Sequence, residues 1–279
     1  TTTAARSRVE PQRTSVPGIP PAHLRVALIS YMVGEYTVRL ASGLAREADT
    51  FLWLSNEDTA PHLSELSADV DHRAFAKPQL RHPFRQMAML FRLVREVREF
   101  RPDVVHIQQG HLWLNLAIPL LRRYPLVITI HDAHHHPGDR ESQKTPQWVF
   151  HYGFRRALKL IVHSTALKEE IRSSLGVRDE RVSVVPMVAH GTDKIPDLTF
   201  EEDHTVLFFG RIWEYKGLEY LISAEPLVSA EFPDAKFIIG GRGEDFDHYR
   251  RMMVNPDRFE VHNEYVSYED RDKLFQRAS

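Results

Sequence analysis

The sequence predicts an α/β protein made of two doubly wound, Rossmann-like parallel-sheet domains in tandem. Three observations carry that prediction. Short apolar runs alternate with helical patterns along most of the chain, which specifies a parallel sheet with helices on both faces. Runs such as Leu24-Arg-Val-Ala-Leu-Ile-Ser30 and Leu126-Val-Ile-Thr-Ile130 are apolar enough to be buried on both faces. The alternation breaks once, over residues 188–204, where Gly191, Pro196 and the acidic run Glu201-Glu202-Asp203 carry no periodicity, and then restarts. The 279 residues, 42% of them hydrophobic, suffice for a core in each domain. The expected organisation is a disordered leader over 1–22, a first domain over 23–190, a linker over 191–204 and the first part of a second domain over 205–279.

After the strand Leu24–Ser30 the pattern predicts a helix over 36–48 and a strand over 50–55. A long helical pattern follows, with Phe84, Met87, Phe91 and Val94 on one face and Leu90, Leu93 and Val97 beside them. It stops at Phe100-Arg101-Pro102, because proline disfavours helix in the residue before it. A strand over 103–107, a helix over 112–123, strands over 126–130 and 159–163, a helix over 165–174 and a strand over 182–185 complete the first domain. The second opens with a strand over 205–209. A helix over most of 216–232, a strand over 235–239, a helix over 245–254, a strand over 258–261 and a helix from Tyr268 follow.

Composition removes several classes of function. Thirty-six Lys and Arg against 38 Asp and Glu leave a net charge of −2, without the strongly basic footprint of a nucleic-acid binder. No cysteine is present, which excludes disulfides, zinc–thiolate sites, iron–sulfur clusters and a cysteine nucleophile, and suits a reducing cytoplasm. The longest apolar run, Leu112–Leu121, is interrupted by Asn115 and falls short of the roughly 20 residues that span a bilayer. The first 23 residues carry no apolar stretch of the signal-peptide kind.

Open parallel sheets bind ligands at the carboxyl ends of their strands, so the loops there hold the candidate chemistry. Gly34 follows the first strand. Gln108-Gln109-Gly110-His111 follows the strand that contains His106, and His131-Asp132 with His134-His135-His136 follows the next. Gly210-Arg211-Ile-Trp-Glu-Tyr-Lys216-Gly217 opens the second domain and is the most informative. A strand ends in glycine, and two cations five residues apart stand at the entry to a helix. That arrangement suits a diphosphate through charge-assisted hydrogen bonds and the helix dipole. The plainer reading is two solvated surface cations.

The other features have plainer readings too. Consecutive histidines rarely aim their rings at one centre, so His131 and His134–His136, even with Asp132 and Asp139, read as a polar acceptor loop before a metal site. No metal is expected. His106 reads as a strand-end residue satisfied by hydrogen bonds, and Trp213 and Tyr215 as aromatics around the cationic loop. Gly240-Gly241-Arg242-Gly243 reads first as a conformational glycine turn. A nicotinamide-dependent oxidoreductase would require G-x-G-x-x-G after a strand with an acidic residue about 20 positions on, a combination the sequence lacks.

The stretch Leu207-Phe-Phe-Gly-Arg-Ile-Trp-Glu-Tyr-Lys-Gly-Leu-Glu-Tyr-Leu-Ile222 resembles the opening of the C-terminal domain of family 4 glycosyltransferases of the GT-B fold. Ala235-Lys-Phe-Ile-Ile-Gly-Gly-Arg-Gly243 resembles their next strand and glycine turn. Asp103-Val-Val-His-Ile107 and Val127-Ile-Thr-Ile-His-Asp132 resemble the corresponding N-terminal strands. The resemblance implies transfer of a sugar, with retention at the anomeric carbon, from a nucleotide-diphosphate donor to a glycan, lipid-linked or small-molecule acceptor. It implies that Arg211 and Lys216 hold the donor diphosphate, with Gly210 and Gly241 shaping the site. It further implies that Gly34 lets the first loop approach the phosphates and that His131 hydrogen-bonds the reacting sugar. No metal or other cofactor is implied, since the cations and helix dipole neutralise the diphosphate. A non-catalytic sugar-nucleotide or glycan-binding subunit is the alternative.

The chain departs from the family pattern in its single first-loop glycine and in lacking the pair of glutamates, eight positions apart, that grip the donor ribose and sugar. The expectation is therefore that these residues are part of a longer transferase, whose remainder would cover the apolar faces of Leu218, Leu221, Phe237 and Ile239. One stretch adds a membrane expectation. Between Arg73 and Arg101 lie eight Lys or Arg (73, 77, 81, 85, 92, 95, 98 and 101) against Glu96 and Glu99, with Phe75, Phe84, Met87, Met89 and Phe91 interleaved. Such a stretch can dock on anionic lipid, giving a cytoplasmic protein with a peripheral contact at the inner face of the membrane. The alternative is an ordinary Rossmann helix with its apolar face in the core.

Overall fold

A computed structural model of the chain describes residues 24–79, 81–136, 145–187, 200–243 and 245–279. The expected leader over 1–22, most of the expected linker over 191–204, and Asp139 lie outside the described residues. Contacts group the chain into two compact units, Thr1–Gln108 with Ala117–Ile128, and Gln109–Leu116 with Thr129–Ser279.

The first sheet holds β1 (Leu24–Ser30), β2 (Ala48–Ser55), β3 (Val70–Phe75), β4 (Val104–Gln108), β5 (Leu126–Ile130), β6 (Lys159–Val162) and β7 (Val182–Val184). Its order is β3-β2-β1-β4-β5-β6-β7, and the pairings of β1 with β2 and β4, of β2 with β3 and of β6 with β7 are parallel. The order reverses between β1 and β4, the topological switch point at which doubly wound sheets open a crevice. Leu28, Leu52, Leu54 and Val70 pack with Val38 and Ala41 of α1 (Gly34–Leu44) to form one core. The short helix α2 (Asn56–Thr59) is capped by Ser55, whose hydroxyl accepts from the Asp58 N–H at 3.1 Å.

Beyond β3 runs α3 (Pro83–Phe100), opened by Pro83 and closed by Arg101 in the left-handed region just before Pro102. After β4 come α4 (Leu112–Ala117) and a 3-10 turn over Ile118–Leu121. The single helix expected over 112–123 divides there because Pro119 has no N–H for the ladder. Two further helices, α5 (Gln147–Arg156) and α6 (Thr165–Leu175), flank β6. Ser164 caps α6, and Gly176 ends it in the left-handed region at φ 63°.

The second sheet has the order β10-β9-β8, all parallel, from β8 (Thr205–Phe209), β9 (Lys236–Gly240) and β10 (Phe259–His262). Its helices are α7 (Leu218–Glu231), α8 (Asp247–Arg250) and α9 (Tyr268–Arg277). Glu225 of α7 is fully buried, its carboxylate accepting from Ser229 Oγ at 2.7 Å and Asn255 Nδ2 at 3.0 Å.

Two elements are added to the expectations and three expectations are corrected. A strand, β3, and a helix, α5, occupy stretches without a clear sequence pattern. The helix expected over 245–254 shrinks to the four residues of α8, with Asn255-Pro256 close behind it. Phe84, Met87 and Phe91 of α3 face outward, while Met89, Leu90, Leu93, Val94 and Val97 fill the core. Leu218, Phe237 and Ile239 are fully buried within this chain, and Leu221 is half-buried against Leu218, Ile222, Phe246 and Tyr249. Among the described residues no helix is long and apolar enough to cross a membrane.

Candidate active site

Four of the candidate residues, Gly210, Arg211, Lys216 and Gly241, come together at the carboxyl end of the second sheet. The β8–β9 ladder continues past the strands: Gly210 N–H donates to Gly240 O at 3.0 Å, and Ile212 N–H to Arg242 O at 3.1 Å. Gly210 has φ 144° and Gly241 φ 147°. A Cβ on Gly241 would lie 1.7 Å from Gly210 O, and one on Gly243 would lie 1.8 Å from Ile212 O. Glycine is therefore required at both positions for the two loops to touch backbone to backbone.

Ile212 anchors this ledge. It is fully buried among Leu218, Ile222, Ile239, Phe246 and Tyr249, which leaves Arg211 exposed on the other side. Arg211 Nη2 donates to Tyr215 Oη at 2.7 Å. Lys216 Nζ stands 5.0 Å from the centre of the Tyr215 ring. The two cations thus flank one tyrosine that orders both. A 3-10 turn over Glu214–Lys216 and left-handed Gly217 (φ 71°) lead into α7, whose first turn has no side-chain cap. Lys216 therefore ends a 3-10 turn two positions before α7 begins at Leu218, whereas the sequence pattern starts the helix at 216. Exposed cations next to uncapped helical N–H groups favour an anion with several acceptor oxygens.

The first sheet carries the remaining candidates. His131 follows β5, and Gln109, in the left-handed region at φ 43°, fixes it there. Gln109 N–H donates to Thr129 O at 2.9 Å. Its side-chain Oε1 accepts from the backbone N–H groups of His131 at 2.7 Å and Asp132 at 3.2 Å. His163, just past β6, extends the arrangement. Its Nδ1 lies 3.0 Å from Val185 O and its Nε2 3.2 Å from His131 Nδ1. A carbonyl only accepts, so His163 carries its proton on Nδ1. With Nε2 unprotonated, His163 accepts there from His131 Nδ1–H. Sequence reasoning singled out the Gln109 loop without a role for it and passed over His163, since both act across more than 20 residues of separation.

Gly34 is the first residue of α1, and the left-handed turn before it belongs to Val33 at φ 65°. A Cβ on Gly34 would lie 2.2 Å from Asp58 O, so packing against α2 by itself demands glycine here. Asp58 also pairs with Lys77, at 2.5 Å.

The histidine triplet disperses: His134 approaches Glu170 at 3.5 Å, His135 stands 5.3 Å from the Phe150 ring and His136 approaches Asp132 at 3.1 Å. Among the described residues no group of three metal-ligating side chains converges. His106 lies buried in β4 beside the Gln108 amide at 3.2 Å, and burial pushes its imidazole down to about 4.

Comparison with known proteins bears on the family and the fold. The family model Glycosyltransferase Family 4 matches residues 33–188, more than half of the chain, and that of Glycosyl transferases group 1 matches residues 203–279. The chain is 24% identical over 194 residues to an uncharacterized glycosyltransferase of Methanocaldococcus jannaschii, MJ1059, covering 61% of this chain and 46% of the relative. It is 26% identical over 136 residues to the alpha-D-kanosaminyltransferase of Streptomyces kanamyceticus, covering 43% and 35%. The chain thus spans less than half the length of either relative. Among solved structures, a UDP-GlcNAc 2-epimerase from Neisseria meningitidis bound to UDP-GlcNAc superposes with a TM-score of 0.60 at 12% identity, covering 91% of this chain and 76% of that one. A glycosyltransferase from Rickettsia africae gives 0.60 at 12% identity, covering 92% and 72%. These likenesses show the fold, and the nicotinamide-dependent reading finds no support in them. With two parallel sheets of the GT-B kind and matches along both of them, the chain belongs to Glycosyltransferase Family 4.

Proposed function

We propose that this chain binds a nucleotide-diphosphate sugar at the β8 end of its second sheet and takes part in transferring the sugar, with retention, to a hydroxyl of a glycan, lipid-linked or small-molecule acceptor. The observation that carries the reading is the glycine ledge Gly210/Gly241 and Ile212/Gly243, which holds Arg211 and Lys216 outward around Tyr215. In transfer the acceptor oxygen bonds to the anomeric carbon as the bond from that carbon to the diphosphate breaks. The acceptor proton departs with the diphosphate, whose new charge Arg211 and Lys216 stabilise. His131 is assigned a hydrogen bond to the donor sugar. No metal ion takes part in this scheme, since two cations and a helix N-terminus face the diphosphate.

The experiment is transfer of labelled sugar from UDP-, GDP- and ADP-sugars by the full reading frame that carries these residues, with and without EDTA. Proton coupling at the anomeric carbon of the product reads the stereochemistry. Turnover that survives EDTA and keeps the donor's configuration supports the proposal, whereas inversion contradicts its stereochemistry. Donor binding without transfer to any acceptor would favour the non-catalytic sugar-nucleotide-binding reading instead.

A further inference from the structure

Helix α3 presents to solvent a face that the transferase chemistry does not use. At 100° per residue, Phe84, Phe91, Arg95 and Arg98 lie within about 60° of one another, and this arc is the exposed one. Phe84 is 88% exposed and Phe91 60%, with Met87 on the same side. Exposed phenylalanines at the centre of a helix face are uncommon where a full apolar stripe already fills the core, as Met89, Leu90, Leu93, Val94 and Val97 do here.

The cations around them are placed outward. Arg81, Arg85, Arg95, Arg98 and Arg101 are exposed. Arg92, exposed as well, leans onto Glu96 at 2.7 Å and Ala74 O at 3.1 Å. Arg98 reaches Leu120 O at 3.3 Å, which brings the exposed Leu120 beside the helix. The only outward acid on α3 is Glu99, 3.6 Å from Arg95, and a pair this exposed holds its partner weakly. Between Phe91, Val94, Arg95, Arg98, Glu99 and Arg101 lies an open groove of about 510 Å³.

We infer that this face of α3 docks on the surface of an anionic lipid bilayer. The arginines meet the phosphate layer while Phe84, Met87 and Phe91 enter the boundary with the acyl chains. Charge complementarity selects this occupant. A second copy of the same face would bring five exposed arginines against five, and a neutral partner would leave them desolvated and unmatched. The inference rests on α3 alone and stands apart from the assignment of the donor site.

The test is co-sedimentation of the 279-residue chain with vesicles of phosphatidylcholine alone and of phosphatidylcholine mixed with phosphatidylglycerol, at low and high salt. Binding is expected to the mixed vesicles only and to weaken with salt. Each cation near an anionic surface strengthens binding roughly fivefold, so the triple variant Arg85→Gln, Arg95→Gln, Arg98→Gln should bind on the order of a hundredfold more weakly. Phe84→Ser with Phe91→Ser should lose at least about tenfold, by removing the two rings that enter the acyl-chain boundary. All these positions are exposed, so thermal melting of both variants should match the parent. Equal binding to neutral and mixed vesicles, no binding to mixed vesicles, or unchanged binding in either variant would overturn the inference. So would a dimer in sedimentation equilibrium that the phenylalanine variant dissociates, or a polynucleotide binding more tightly than the vesicles.

Discussion

Two strand-to-helix connections of this chain each carry a glycine, Gly34 where α1 begins and Gly210 where β8 ends, and they use it differently. After β1, the space that a Gly34 side chain would need is taken by the Asp58 carbonyl, and the left-handed turn is made by Val33. That glycine lets α1 and α2 pack. After β8 and β9, Gly210, Gly241 and Gly243 press two loops together and push Arg211 and Lys216 into solvent. A glycine after a Rossmann strand is therefore weak evidence for a phosphate site by itself. What fills the place of its missing Cβ, and which side chains the loop then exposes, decides its meaning.

Alanine substitution is the strongest way to break this contrast. Gly241→Ala combines a clash with a backbone oxygen and an unfavourable positive φ, and should cost about 3 kcal/mol or more in chemical denaturation. Gly34→Ala keeps a helical backbone and meets only the clash, so about 1–3 kcal/mol is expected, with donor affinity unchanged in the folded fraction. Loss of donor affinity in a folded Gly34→Ala variant would return the phosphates to the first loop.

The two sheets should also differ in acid. Buried His106 in β4 takes a proton only near pH 4, whereas the unfolded chain takes it near 6.5. Between those values the unfolded state binds more protons, so the stability from His106 is full above pH 6.5 and is lost as pH falls through about 4. The amplitude is about 3 kcal/mol, and His106→Gln should flatten the stability profile over that window. The second sheet responds later and less. Hydrogen bonds from Arg277 hold the Glu260 carboxyl at about 2 and depress that of Glu202. Their contribution is present above about pH 4.5 and is lost as pH falls toward 2. These groups are partly exposed, so Arg277→Ala should cost under about 1 kcal/mol at neutral pH.

Between these effects in size lies Gln109→Ala, which removes the acceptor shared by the His131 and Asp132 N–H groups. About 1–2 kcal/mol of stability is expected to go, together with turnover if His131 contacts the donor sugar. A variant that loses stability but transfers sugar at the parent's rate would remove His131 from the reaction.

Much of the architecture is legible in the sequence, because parallel strands buried on both faces read as apolar runs. The strands β1, β4, β5 and β9 are of this kind, and the loop after β8 is legible through its two neighbouring cations. The elements that escape it are informative. Val70-Asp-His-Arg-Ala-Phe75 is the edge strand β3, half solvated and so too polar to stand out. The helical periodicity of α3 groups Phe84 and Phe91 with its apolar residues without saying which face is covered, and both rings fall outside the stripe that fills the core. At the candidate site, Arg211 and Lys216 are close in sequence and readable together. The Gln109–His131–His163 arrangement joins three strand ends, and no local pattern encodes a contact that only the sheet order creates.

The central claim is that the donor diphosphate is held after β8 and not after β1, and one cation near each place tests it directly. Calorimetric titration of UDP-, GDP- and ADP-glucose should be run on the parent, on Lys216→Ala and on Lys77→Ala, whose lysine pairs with Asp58 beside the first loop. A lost charge-assisted contact is worth roughly 1.5–3 kcal/mol, so Lys216→Ala should weaken the preferred donor about ten- to a hundredfold with its melting temperature unchanged. Lys77→Ala should leave donor affinity at the parent's value. Parent-like affinity in Lys216→Ala, or the loss appearing in Lys77→Ala instead, would contradict the claim.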